Sequence, residues 1–355
     1  MTRLVNVYRG ELVESFHSGS VVVVDSSGRI LATAGDPALK TFLRSAAKPF
    51  QVLPLLTEGG AEEFDLSGEE IALCCGSHGG EPKHVSTAAA ILRKGEFDES
   101  DLVCGTHVPF DQKAAAELRQ SGESPSVLHH NCSGKHAGML LATTILDIPS
   151  AGYGDATHPL QVRIRQTLAE FSGQPAEEIP MATDGCGVPS FYMSLYRTAL
   201  AYARLSASAH SPSSAGALPR YAESASDVFE AMTMFPDYVA GAWSITTPLM
   251  ETFHGELLSK EGAEGFYAMA ASPELSSRLT ERLRLPDDCT IGIALKIADG
   301  SMSRGRDPVI LRTLELLGVT PDELSPLSRF RQQPLRNHSG TLVGEVRAEF
   351  ELEFL

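Results

Sequence analysis

Both ends of the chain read as β structure and the middle reads as helix. In LVNVYRG, SVVVVD and RILATAG, apolar and β-branched residues form short runs, and DSSG (residues 25–28) supplies a hairpin turn. At the far end Leu342, Gly344, Val346, Ala348, Phe350 and Leu352 alternate with Val343, Glu345, Arg347, Glu349 and Glu351, the period of a half-buried antiparallel strand. CTIGIALKIADG, 289–300, is a further apolar strand. The two ends are therefore expected to meet in one sheet. Between them, residues 84–94, 135–147, 158–171 and 190–205 carry helix formers at helical spacing. Residues 308–318 open on Pro and close on Gly, as helices do. Residues 205–220, rich in Ser, Ala and Pro, read as a connection inside a helical lobe of roughly 84–235. Strands at the ends with helices between predict the α+β class: an antiparallel sheet flanked by helices, with 1–355 as a single unit.

Composition narrows the function. Lys plus Arg is 29 against 45 Asp plus Glu, a net charge of −16. Such a surface repels nucleic acid and anionic membranes, which leaves a small molecule as the expected partner. No apolar run is long enough to span a bilayer, and the N-terminal stretch has no secretory core, so a cytoplasmic location is expected. The cysteines are Cys74, Cys75, Cys104, Cys132, Cys186 and Cys289, too few for a disulfide framework in this length.

Four stretches carry chemistry. In LRSAAKPFQ, Ser45 as a helix cap would set Lys48 one turn later on the same side. Apolar flanks would bury the lysine and help to keep it neutral, as a base for a serine nucleophile must be. Pro49 is tolerated in the first turn, whereas Pro54 should kink or end the helix. S-x-x-K is common by chance as an exposed cap and a solvated amine. In CCGSHGG, Ser77 sits among glycines that allow close approach to a ligand, although the nucleophile elbow of α/β-hydrolases fails at position 75, which is Cys. HHNCSGKHAGML (129–140) is not a phosphate loop, because His stands where that motif needs glycine and again where it needs Ser or Thr. It offers Cys132 and His136 one helical turn apart, and MATDGCGVPS adds Asp184 and Cys186, ligand types that suit zinc. The plainer reading is a helix start with a buried thiol and a locally bonded histidine. LSKEG carries Lys260, by itself an ordinary surface lysine beside a turn.

Together RSAAKPFQ, CCGSHGG, HHNCSGKHAGM, TDGCGVP, LLSKEGAEG and GIALKIADG resemble the Rhizobium-etli-type L-asparaginases, also called the asparaginase II family or class 3 asparaginases. The resemblance implies a fold like that of serine β-lactamases and penicillin-binding proteins. It also implies hydrolysis of L-asparagine to L-aspartate and ammonia by a homodimer. Its implied site has two Ser-Lys tandems, Ser45 with Lys48 and Ser77 with Lys260. It has a zinc ion held by Cys132, Lys135 and Cys186, and substrate contacts from Arg44, His136 and Asp184. Residue chemistry alone favours His136 over Lys135 as the nitrogen ligand, since lysine binds metal only when deprotonated. Rival readings are a β-lactamase-like or peptidase-like acyl hydrolase, a zinc-dependent amidohydrolase, and an amino-acid-binding protein on an enzyme fold. An asparaginase with an N-terminal threonine is a further rival, from Gly-Thr at 105–106 and 340–341.

Overall fold

The computed structural model describes residues 1–281, 285–286 and 288–355. It contains the strands β1 (Thr2–Arg9), β2 (Leu12–Asp25), β3 (Ile30–Ala34), β4 (Lys40–Phe42), β5 (Met181–Thr183), β6 (Pro189–Ser194), β7 (Leu257–Glu261), β8 (Phe266–Ala271), β9 (Ile291–Ile297), β10 (Gln333–Arg336), β11 (Leu342–Ala348) and β12 (Glu353–Phe354). The fold is α+β. Among the described residues the main sheet runs β10-β11-β1-β2-β9-β8-β7, with β3 and β12 continuing from β2, and its pairings are antiparallel. Val5 pairs with Ala348 and Val7 with Val346, so the first and last long strands are neighbours.

Val21, Val22, Val23 and Val24 are all fully buried. Val22 and Val24 join the core under the middle helices. Val21 and Val23 join a second core with Val309, Ile310 and Leu314 of the helix Asp307–Leu316. A sheet covered on both faces selects an unbroken apolar run, not alternation. β11 is peripheral: Val346 is buried while Leu342 is exposed, and the pairing stops at Ala348, short of the expected 352.

Helices occupy Pro82–Lys94, Ser133–Ile145 and Pro159–Ser172, close to the expected spans. The expected helix 190–205 is displaced. Residues 189–194 form β6, clamped between β4 and β5, and the helix is Leu195–His210, with Ser194 Oγ accepting from Arg197 N–H at 3.2 Å. Phe191, Tyr192 and Met193 suit a pleated half-buried surface. That helix also consumes the start of the expected loop. Ser206 Oγ donates to Ala271 O at 2.7 Å and Ser208 Oγ to Arg204 O at 2.7 Å, so serines that suggested a loop are satisfied within a helix. At Pro54 the chain breaks as expected, into Lys48–Gln51 and Leu53–Thr57.

The small sheet β4-β6-β5 positions the site. Leu43 N–H donates to Phe191 O at 2.9 Å, which ties the segment entering Arg44–Lys48 to β6. The β5–β6 turn carries Asp184 to Gly187, with Gly187 in the left-handed region at φ 87°. Among the described residues no helix is long and apolar enough to cross a membrane.

Candidate active site

A cavity of about 520 Å³ opens where this small sheet meets β7 and the helix Ser133–Ile145. Arg44, Ser45, Lys48 and Ser77 line it, as do Cys132, Lys135, Asp184 and Cys186.

One end is built around Ser77. The helix Gly68–Cys74 stops just before it, and the chain turns so tightly that a Cβ at Gly76 would lie 2.5 Å from Tyr238 O. Ser77 N–H donates to Val239 O at 2.7 Å, which pins the turn. Ser77 Oγ then accepts from two amines, Lys48 Nζ at 3.0 Å and Lys260 Nζ at 2.9 Å. Lys48 also donates to Gly76 O, and Lys260 to Glu261 Oε1 at 2.9 Å. Burial lowers Lys260 to about 8; Glu261 opposes that shift and Lys48 adds to it. Burial pushes the Glu261 carboxyl up, but the charge of Lys260, the Thr246 hydroxyl and Arg306 hold it below its ordinary value. Glu261 Oε2 accepts from Ser244 Oγ at 2.9 Å and from Thr246 Oγ1, so this buried carboxylate is fully engaged.

The local Ser45–Lys48 geometry differs from expectation. Leu43, not Ser45, caps a 3₁₀ turn over Arg44–Ala47, and Ser45 lies inside that turn, half-buried on the cavity wall. Residues three apart eclipse in a 3₁₀ turn, so the two side chains do share a side. Yet the long lysine stem carries its amine past Ser45 to Gly76 O and Ser77 Oγ. Lys48 N–H donates to Ser45 O, but among the described residues no side-chain hydrogen bond joins the two.

The other end is built from thiols. Cys132 caps the helix Ser133–Ile145, Lys135 follows in its first turn, and the β5–β6 turn brings Cys186 opposite. Lys135 Nζ donates to Cys186 Sγ at 2.8 Å. The neighbouring Cys186 thiol, aided by Lys48 and Lys135, holds Cys132 well below the usual thiol range against its burial, and Cys132 in turn pushes Cys186 up. Burial disfavours the Lys135 ammonium, but the Cys132 charge and the hydrogen bond to Cys186 Sγ outweigh it and raise Lys135. Arg44, with φ 51°, pairs with Asp184 Oδ1 through Nε at 2.9 Å and Nη2 at 2.8 Å.

His136, expected on the pocket wall and as a candidate zinc ligand, faces elsewhere. It is fully buried, Nδ1 meets Tyr153 OH at 2.7 Å, and Nε2 has no partner among the described residues. Successive helix positions point roughly 100° apart, so only one of 135 and 136 can face the cavity. Lys135 does. Among the described residues no group of three or more His, Cys, Asp or Glu converges as a metal site. The converging donors are two sulfurs and one amine. This set fits a thiophilic ion such as zinc in type, provided that Lys135 sheds its proton.

Sequence reading missed the support behind Ser77. Glu261 was visible only as the residue after Lys260, and nothing pointed to Ser244, Thr246 or Tyr267. His78 was likewise missed: its buried Nε2 meets Ser133 Oγ at 2.9 Å and ties the Ser77 turn to the helix bearing Lys135.

Solved structures of low identity resemble the chain. Mglu in its native form is 14% identical, with 84% of this chain and 63% of that chain covered and a TM-score of 0.42. A second Mglu structure is 13% identical over 88% and 67%, with a TM-score of 0.44. Bacillus glutaminase in 4.3 M NaCl is 11% identical over 84% and 89%, with a TM-score of 0.37. The chain thus spans under two thirds of the native-form Mglu chain. No curated protein matches in sequence. The sequence profile described as L-asparaginase II matches residues 5–348. With nearly the whole chain matched, this protein belongs to the L-asparaginase II family.

Proposed function

We propose that the chain hydrolyses L-asparagine to L-aspartate and ammonia as a Rhizobium-etli-type L-asparaginase. The carrying observation is Ser77 Oγ within hydrogen-bonding distance of both Lys48 and Lys260, the latter lowered to about 8. A serine needs a neutral base beside it, and a lysine with a pKa near 8 is substantially neutral at mildly alkaline pH. Asparagine would lay its α-carboxylate against Arg44 and its α-amine against Asp184. Lys260 takes the proton of Ser77, whose oxygen attacks the side-chain amide carbon. Lys48 faces the developing charge, and the proton passes to the departing ammonia. Water then hydrolyses the ester. Ser45 is the second candidate nucleophile, favoured by its accessible position on the cavity wall and its S-x-x-K spacing.

Zinc held by Cys132, Lys135 and Cys186 would supply a fixed positive charge for the substrate's α-substituents. Its thiolate ligands make it a poor generator of hydroxide, and the serines supply the attack. The remaining features follow the same reading: a β-lactamase-like or penicillin-binding-protein-like fold, one catalytic unit over 1–355, a homodimer and a cytoplasmic location.

The test is ammonia release from asparagine, with and without a chelator, joined to mass mapping of a trapped acyl adduct. Turnover with the adduct on Ser77 supports the proposal, and an adduct on Ser45 alone transfers the nucleophile role. Chelation should raise KM more than it lowers kcat. Complete loss at saturating asparagine would instead favour the zinc-dependent amidohydrolase.

A further inference from the structure

The cavity has an aromatic wall that a primary amide leaves unused. Phe110 and Trp243 line it, 47% and 40% exposed, with ring centroids 5.7 Å apart and planes at 75°. Met302, 47% exposed, also lines it. Apolar surface left in water is unfavourable unless something covers it.

These aromatics are fixed to the machinery. Asp111 N–H, next to Phe110, donates to Gly79 O at 3.0 Å, two residues beyond Ser77. A Cβ at Gly79 would lie 3.4 Å from Trp243 Nε1, so the indole rests against the same turn. Ser244, next to Trp243, donates to the Glu261 carboxylate that holds Lys260. Gly241 N–H donates to Thr247 Oγ1 at 3.0 Å, which anchors the loop from its other side. The charged groups that suit an amino-acid head, Arg44 and Asp184, come from other elements. At about 520 Å³ the cavity has the size of sites for drug-sized ligands, well beyond what asparagine fills.

We infer that Phe110, Trp243 and Met302 form a leaving-group subsite, and that the chain also cleaves asparagines carrying an aryl or branched apolar group on the side-chain nitrogen. The inference rests on the amide-hydrolase reading and names a substrate class for it. The serine oxygen bonds to the β-carbonyl carbon and the carbon–nitrogen bond breaks. The serine's proton reaches the departing nitrogen through lysine, so a free amine leaves. Water hydrolyses the ester and aspartate follows.

The experiment compares L-aspartic acid β-(4-nitroanilide), followed by nitroaniline absorbance, with asparagine, followed by ammonia release. The full chain is used as wild type, Trp243→Ala and Trp243→Phe. The expected result is anilide turnover by the wild type. Trp243→Ala should lower the anilide-to-asparagine ratio of kcat/KM at least tenfold, and Trp243→Phe should restore most of it. Trp243 is the chain's single tryptophan, so N-benzyl-L-asparagine should shift its fluorescence in Ser77→Ala protein where asparagine does not. Asparagine turnover without anilide turnover overturns the inference, as does an equal loss on both substrates in Trp243→Ala; a second copy covering the wall would give the first result. Turnover of neither substrate overturns the amide-hydrolase reading itself, and the inference with it.

Discussion

Lys260 and Lys135 are both buried at one cavity, and burial disfavours the charge of each, yet they are driven in opposite directions. Beside Lys260 stand one carboxylate, Glu261, and a second lysine, Lys48, which donates to the same serine oxygen. Beside Lys135 stand Cys132 and Cys186, with Asp184 adding its charge. At the serine end the like charge and burial outweigh the carboxylate, and the result is a base near 8. At the thiol end the anionic neighbours outweigh burial, and the result is a retained cation. Neighbours, more than burial, thus separate a lysine poised to lose its proton from one that keeps it.

The sharpest break of this contrast comes from the serines. Ser77→Ala should lower kcat by on the order of 10⁴-fold or more, as loss of an activated nucleophile does. Ser45→Ala should cost ~10- to 100-fold, on the scale of one lost hydrogen bond to a charged group. Initial rates of ammonia release, with circular dichroism to establish folding, decide the order. The reverse order would move the catalytic end of the cavity from the turn at Ser77 to the helix start at Ser45.

The lysines come next. Lys260→Met should lower kcat by ~10²- to 10⁴-fold with little change in KM, as removal of a general base does. Lys135→Met should act mainly on KM, raising it while kcat falls less, because an anchor contributes in ground and transition states alike. Steady-state kinetics on both variants give the split. If Lys135→Met loses kcat without raising KM, the two ends are not separated by role.

Much of this architecture was legible in the sequence, for identifiable reasons. Valine-rich runs at the start and the alternation around Val346 mark strands, because side-chain period is a direct record of which faces are buried. The motifs with cysteines and glycines mark the cavity, since a Cβ at Gly76 would lie 2.5 Å from Tyr238 O and Cys186 lines the cavity wall. What was not legible depends on where long side chains end. Spacing set Ser45 and Lys48 on one side, but not that the amine continues to Ser77. Spacing and residue chemistry favoured His136, and only the helix rotation against β5–β6 turns Lys135 inward instead. The further partners of Glu261, Ser244 and Thr246, come from a distant segment of the chain, so no local pattern could join them to Lys260.

The smallest expected effect is also the most selective. The Glu261 charge favours the Lys260 ammonium, so Glu261→Gln should lower the Lys260 pKa further below about 8. A neutral amide still accepts a hydrogen bond from Lys260, so the loss at optimal pH should be about tenfold or less. The wild-type kcat/KM should rise with pH through about 8, as Lys260 gives up its proton. In Glu261→Gln that rising limb should move to lower pH. Lys48→Met removes the opposing cation and should move it to higher pH, on a lower overall rate. Groups facing Lys260 besides these are Ser77, which does not titrate here, and Cys132, whose charge acts in the same sense as that of Glu261. A uniform loss across pH in Glu261→Gln, with the limb unmoved, would make this carboxylate a packing element. Opposite shifts in the two variants would instead trace the base to the balance of one anion and one cation around Lys260.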